Sequence, residues 1–183
     1  MRITGGSLKG LKLITPSAKS KIRPLLDKTR QTIFNILGQY LDGLTILDCF
    51  GGTGSFSIES ISRNANFVYI IEQSSEAINI IKNNFEKSGI AKDKFLIKKS
   101  NFWIEIDRLD KQFDIIFFDP PYQSITVSQI NNFLKKSKNI AKEYAIIILK
   151  IPISIQDSDL NLNNFKVKRK KDGITKLIFL EKG

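Results

Sequence analysis

Two hydrophobic rhythms run along the chain, one helical and one of continuous apolar runs. Between Asp27 and Leu41, the residues Ile33, Phe34, Ile36, Leu37, Tyr40 and Leu41 recur at helical spacing. This predicts an amphipathic helix over residues 27–41 with Asp27 as its N-cap. After Gly43 the apolar positions become short continuous runs: Thr45–Phe50, Phe67–Ile71, Phe95–Ile97, Phe113–Phe118 and Tyr144–Leu149. Runs of that length read as buried strands. The segments between them, residues 55–63, 75–88 and 125–138, read as helices. Phe165–Lys170 and Thr175–Leu180 predict a hairpin turning at Asp172-Gly173. Strands alternating with helices, then a hairpin, give an α/β fold: a doubly wound, mostly parallel sheet with an antiparallel C-terminal edge. Ligands in such sheets bind beyond the carboxyl ends of the strands, so the residues after each strand are the ones to inspect.

The segment before the first helix is different. Gly5, Gly6, Gly10, Pro16 and Pro24 interrupt short β-like pieces at Arg2–Thr4 and Lys12–Ile14, as in an irregular arm. Residues 1–43 are therefore expected to form a basic arm and helix, and residues 44–183 the main domain. A length of 183 residues suits this organisation. Charge sharpens it. Of 29 basic and 18 acidic residues, net +11, residues 1–44 hold eight Lys/Arg against Asp27 and Asp42. Residues 45–160 balance at 14 of each sign, and residues 161–183 hold seven basic residues against Asp172 and Glu181. Excess charge confined to the two ends points to a polyanionic partner, most often nucleic acid. Candidate phosphate contacts are Arg2, Lys9, Lys12, Arg23 and Arg30 in the arm, and Lys168, Arg169, Lys170 and Lys171 near the hairpin turn. For Arg23 and Arg30, contact with a ligand carboxylate stands as the alternative. There is no histidine and a single cysteine, Cys49. This excludes His-based triads, a disulfide framework and a cysteine-rich zinc site, and the expectation is no metal. Cys49 reads as a small core residue. The start MRITGGSLKG has no apolar leader and no run approaches 18 apolar residues, so a cytoplasmic protein without a membrane partner is expected.

Four strand ends carry the candidate chemistry. After the first strand comes Asp48-Cys49-Phe50-Gly51-Gly52-Thr53-Gly54. Glycines let the backbone turn sharply and approach a ligand. The acid before them would repel a pyrophosphate, and Ser57 stands at the third glycine position of a dinucleotide fingerprint. Asp48 instead suits a cationic ligand such as the amino group or sulfonium of S-adenosylmethionine. After the second strand, Glu72 is placed to take ribose hydroxyls, with Gln73 beside it. After the third, Asn101 is a candidate for the adenine edge, and Phe102 or Trp103 for stacking on the ring. After the fourth comes Asp119-Pro120-Pro121-Tyr122. A carboxylate and the Pro120 carbonyl would accept both N–H bonds of a planar exocyclic amine while Tyr122 stacks on its ring. Those hydrogen bonds localise the nitrogen lone pair, so no histidine base is needed.

These residues resemble the bacterial RsmD-like family of 16S ribosomal RNA guanine-N2 methyltransferases. The leader carries the resemblance: Arg2-Ile3-Thr4-Gly5-Gly6, Lys9-Gly10, Leu13, Pro16, Arg23-Pro24, Asp27, Arg30 and Phe34-Asn35. Leu47–Gly54 and Asp119–Tyr122 would alone fit many amino-methyltransferases. The resemblance implies a seven-stranded, Rossmann-like class I methyltransferase fold. It also implies S-adenosylmethionine as donor, S-adenosylhomocysteine as product, and a guanine of small-subunit rRNA, naked or in an assembly intermediate, as target. Asp48, Phe50, Gly51–Gly54, Glu72, Gln73, Asn101 and Phe102 would surround the cofactor, with Asp119–Tyr122 over the base. A monomer is expected. The alternatives are an amino-methyltransferase acting on DNA adenine or protein glutamine, a non-catalytic RNA-binding assembly protein and, more distantly, a nicotinamide oxidoreductase.

Overall fold

The computed structural model describes residues 1–123 and 125–182. Seven strands form one sheet in the order β3-β2-β1-β4-β5-β7-β6: β1 Thr45–Asp48, β2 Phe67–Glu72, β3 Phe95–Lys99, β4 Phe113–Phe118, β5 Ala141–Pro152, β6 Phe165–Asp172 and β7 Thr175–Lys182. The helices are α1 Asp27–Leu37, α2 Ser55–Ser62, α3 Ser75–Ser88, the single turn α4 Phe102–Glu105, and α5 Val127–Ile140. Among the described residues, no helix is long and apolar enough to cross a membrane. The chain divides into two compact units, Met1–Phe102 and Trp103–Gly183.

In the first unit β1, β2 and β3 run parallel, with Thr45 opposite Phe67 and Val68 opposite Phe95. Ile46, Leu47, Val68 and Ile70 are buried, as strands covered on both faces require. Ser74 caps α3 by accepting from Ala77 N–H, and Gly89 ends it with a φ of 67°. Ala77, Ile78, Ile81 and Phe85 form its buried stripe. The arm folds back through a bridge between Arg2 and Lys12 that buries Ile3 and Leu13.

The start of α1 differs from the sequence expectation. Leu26 is its N-cap, and Asp27 is the first helical residue. The Asp27 carboxylate accepts from Arg30 Nη2 at 3.0 Å and from Arg2 N–H at 3.2 Å, so it does not cap its own helix. The helix stops at Leu37 because Gly38 takes a φ of 107°, outside the helical region. Tyr40 is exposed and Leu41 is buried beyond the helix end.

In the second unit β4 and β5 are parallel, β5 and β7 antiparallel, and β6 and β7 form the expected hairpin around Gly173, whose φ is 62°. A capping box between Thr126 and Gln129 starts α5 two residues later than the apolar pattern implied. The strand β5 begins at Ala141, not Tyr144: Ala141 pairs with Phe113 of β4, and the Lys142 side chain pairs with Asp114 at 2.8 Å. Phe118 stacks on Phe133 of α5 with ring centroids 4.1 Å apart.

Candidate active site

The first unit holds a loop built almost entirely of backbone. Asp48 ends β1 with its carboxylate buried, and Ser57 Oγ on α2 donates to it at 2.6 Å. The serine at the third glycine position thus fixes the acid. Gly51 N–H donates to Ile71 O at 2.9 Å. A Cβ at Gly51 would lie 2.6 Å from Ile70 Cγ2 and 2.9 Å from Ile81 Cδ1, so no side chain fits there. Gly52 and Gly54 take φ values of 54° and 75°, the left-handed region that favours glycine. Gly54 is also the N-cap of α2.

Glu72 stands at the end of β2 and gathers three backbone donors. Its Oε2 accepts from Gly52 N–H at 2.9 Å, and its Oε1 from Gln73 and Ser74 N–H, each at 2.8 Å. One carboxylate therefore ties the glycine loop to the head of α3. Each carboxylate oxygen has two lone pairs, so acceptor capacity remains for a ligand hydroxyl. Asn101 Nδ2 donates to Gln73 Oε1 at 3.0 Å. Phe102 is buried and tilts against Phe50 with centroids 4.9 Å apart. Asn84 of α3 braces the loop from the other side. It donates to Thr53 O at 3.0 Å and Ile14 O at 3.1 Å, and accepts from Ile14 N–H at 2.7 Å. The arm and the glycine loop are thus fastened to the same side chain. Cys49 is buried, and desolvation with the Asp48 charge beside it pushes its thiol well up, which leaves it inert at neutral pH.

A buried carboxylate, Glu59 of α2, anchors the arm. It accepts from Arg30 Nε at 2.5 Å, from Arg63 Nη2 at 2.8 Å, from Thr4 N–H at 3.1 Å and from the Thr4 hydroxyl. Arg30 also donates to the carbonyls of Arg2 and Leu25. Its side chain is 0% exposed. This corrects the expectation for Arg30: a guanidinium enclosed by Glu59, Asp27 and backbone carbonyls offers its charge to neither a phosphate nor a ligand carboxylate. By contrast Arg2, Lys9, Lys12 and Arg23 are exposed.

The second unit holds a loop built of side chains. Asp119 follows the last residue of β4, and Lys150 follows Leu149 on β5. The register pairs Phe118 with Leu149, which brings the two next residues together. Lys150 Nζ lies 3.1 Å from Asp119 Oδ1. Tyr122 Oη donates to that same oxygen at 3.0 Å, and Lys150 Nζ sits 4.4 Å from the centre of the Tyr122 ring, a cation–π contact. The Lys150 and Asp119 side chains are only 11% and 17% exposed. Burial raises the Asp119 pKa to about 6, although the Lys150 ammonium opposes the rise through its charge and its hydrogen bond; the Asp172 charge adds to it. Pro120 is buried and Pro121 exposed. Lys168, Arg169, Lys170 and Lys171 are exposed on the hairpin, and Arg169 is ion-paired with Asp157.

Lys150 is the residue the sequence reading passed over. Its signal was available: it is the first polar residue after the apolar run Ala145–Leu149, the one strand end left uninspected. Ser57, Glu59 and Asn84 were missed as positioning residues because small or helical polar residues carry no motif.

The family described as Conserved hypothetical protein 95 matches residues 1–181. The chain is 34% identical over 146 residues, 80% of its length and 75% of the relative's, to the ribosomal RNA small subunit methyltransferase D of Buchnera aphidicola from Acyrthosiphon pisum. It is 31% identical over 150 residues to the Escherichia coli K12 protein of the same name, covering 81% of this chain and 73% of that one. A solved structure from Escherichia coli, titled a putative methyltransferase yhhF, superposes with a TM-score of 0.83 over 100% of this chain and 97% of its own, at 23% identity. The fold is that of a methyltransferase.

Proposed function

The chain belongs to the Conserved hypothetical protein 95 family, which it shares with proteins named ribosomal RNA small subunit methyltransferase D, and from that premise we propose that it methylates the exocyclic N2 amine of a guanine in small-subunit ribosomal RNA, with S-adenosylmethionine as donor. When bound, this donor supplies a methyl carbon made electrophilic by an adjacent sulfonium. The first unit fits it. Gly51 leaves no room for a side chain, the buried Asp48 favours a cation over a pyrophosphate, and Glu72 brings Oε2, with one acceptor position open, to the loop for a ribose hydroxyl. Phe50, Thr53, Gln73, Asn101 and Phe102 complete the proposed set.

The observation that carries the chemistry is Asp119, a mostly buried carboxylate with a pKa of about 6 followed by two prolines and a tyrosine. Asp119 and the Pro120 carbonyl accept the amine's two N–H bonds and localise its lone pair. The proton shed when nitrogen is alkylated passes to Asp119, whose pKa near neutrality suits a group that holds a proton and then releases it to water. Tyr122 stacks on the base, which must leave any helical stack to reach the loop. The exposed arm residues Arg2, Lys9, Lys12 and Arg23, and Lys168–Lys171 on the hairpin, contact phosphates. Residues 1–43 then act as the RNA-gripping arm of a methyltransferase domain spanning residues 44–183.

The test is transfer from labelled S-adenosylmethionine to small-subunit rRNA and to its protein-bound precursor, with mass spectrometry of the nucleosides. N2-methylguanine is expected. Label on adenine or on protein, or no transfer to either substrate, would overturn the reading.

A further inference from the structure

Lys150 is a mostly buried cation that the mechanism above does not use. Burying an ammonium is expensive unless it is paired, and the pairing here is with the very carboxylate proposed to receive the amine. A lysine carries three donors. The ion pair with Asp119 Oδ1 takes one, and the Tyr122 ring lies against the ammonium at 4.4 Å. Nζ and the Asp119 carboxylate therefore lie side by side, a donor beside two acceptor oxygens; Oδ1 already accepts from Lys150 and Tyr122, so a base N–H takes the place of the Tyr122 hydroxyl on it. The Watson–Crick edge of guanine presents the complement in order: O6 accepts, N1–H donates and N2–H donates. Adenine presents a donor at N6 and an acceptor at N1, so it would set donor against donor and acceptor against acceptor. A flipped base is read on that edge while it stacks on an aromatic ring, and Tyr122 supplies the ring.

We propose that Lys150 determines base specificity by donating a hydrogen bond to O6 of the guanine whose N2 is methylated, while the two Asp119 oxygens accept from N1–H and N2–H. This rests on the methyl-transfer reading above. The remaining N2–H faces the Pro120 carbonyl. Among the described residues, Lys150, Tyr122 and, more weakly, Asp172 from the β6–β7 turn are the charged or titratable groups that bear on this carboxylate.

The test pairs an enzyme variant with a base analogue. Once the methylated nucleotide is mapped, rRNA fragments are made with guanine or 2-aminopurine at that position. 2-Aminopurine keeps the N2 amine but lacks O6, and its N1 is an acceptor instead of a donor, so it removes the partner of Lys150 and weakens the Asp119 contact alike in parent and variant. The assay is run in alkaline buffer, well above the value of about 6 at which Asp119 titrates, so that loss of Lys150 does not act by protonating Asp119. For Lys150→Met, kcat/KM on the guanine RNA is expected to fall about 10- to 100-fold further than on the 2-aminopurine RNA, the loss of one charge-assisted bond that only guanine can accept. Lys150→Arg is expected to keep the preference for guanine. Equal losses on both RNAs would mean that Lys150 only supports the fold, and would overturn the proposal while leaving the methylation reading intact. Should Lys150→Met not fold, a parent protein or Lys150→Arg variant that showed no preference for guanine over 2-aminopurine would overturn it as well. Absence of any N2-methylguanine from the parent protein overturns both readings together.

Discussion

The Gly51–Gly54 loop of the first unit is held by backbone groups, whereas the Asp119–Tyr122 loop of the second is held by side chains. In the first, Glu72 gathers three main-chain N–H groups and Gly51 packs where no Cβ fits. In the second, Asp119, Tyr122 and Lys150 hold one another through a shared oxygen and a ring face. A backbone-built loop is fixed by φ, ψ and close packing, and suits recognition of a ligand that does not vary. A side-chain cluster with a raised carboxylate pKa can exchange partners and move a proton. The proposed roles follow this difference: donor binding in the first unit, acceptor chemistry in the second.

Breaking the first unit costs most where its buried ions lie. Arg30→Ala leaves Glu59 with Arg63 as its remaining ion-pair partner in the interior, and chemical denaturation is expected to show a loss of about 3–5 kcal/mol. Gly51→Ala forces a Cβ against Ile70 and Ile81, which should cost about 1–3 kcal/mol and weaken S-adenosylmethionine binding in calorimetry. Neither change acts through Asp119, so the acid limb of the rate profile should stay where it is in whatever protein remains folded.

The second unit should instead respond to pH. Protonated Asp119 has lost an acceptor, so transfer is expected to fall as pH drops through about 6. Lys150 holds that pKa down, so Lys150→Met should move the acid limb to higher pH. Stability carries the same signature with the opposite sense. The carboxyl titrates at 3.8 ordinarily and at about 6 in the folded protein, so between those values the folded state binds more protons than the unfolded one. Unfolding free energy contributed by Asp119 therefore falls as pH rises through that window, and is constant outside it. Relative to the parent, Asp119→Asn should gain stability across the same interval, as thermal melts at stepped pH would show. The smallest effect is expected at the basic rim. Lys168→Ala and Lys170→Ala should each reduce the salt slope of RNA binding by about one, with no change in S-adenosylmethionine affinity.

The same contrast explains what was legible in the sequence. The glycine loop and Asp-Pro-Pro-Tyr are local, so spacing along the chain displays them. Glu72 follows directly from the end of an apolar run. Lys150 is 31 residues from Asp119, and only the register of Phe118 against Leu149 joins them. Arg30 was read as an exposed cation because a helical pattern counts every arginine as polar, while Glu59, its partner, lies in a helix buried on nearly all sides. The start of β5 was hidden by the polar pair Lys142-Glu143, one of which pairs across the strands with Asp114. Local chemistry was legible, and pairing between distant elements was not.

The central claim is that donor binding and acceptor chemistry are separable functions of the two loops. Its most direct test measures S-adenosylmethionine affinity and methyl transfer to small-subunit rRNA on the same preparation of Asp119→Ala. The account predicts unchanged affinity with transfer reduced about 100- to 10,000-fold. Transfer within a few-fold of the parent, or loss of donor binding in a protein that remains folded, would contradict it.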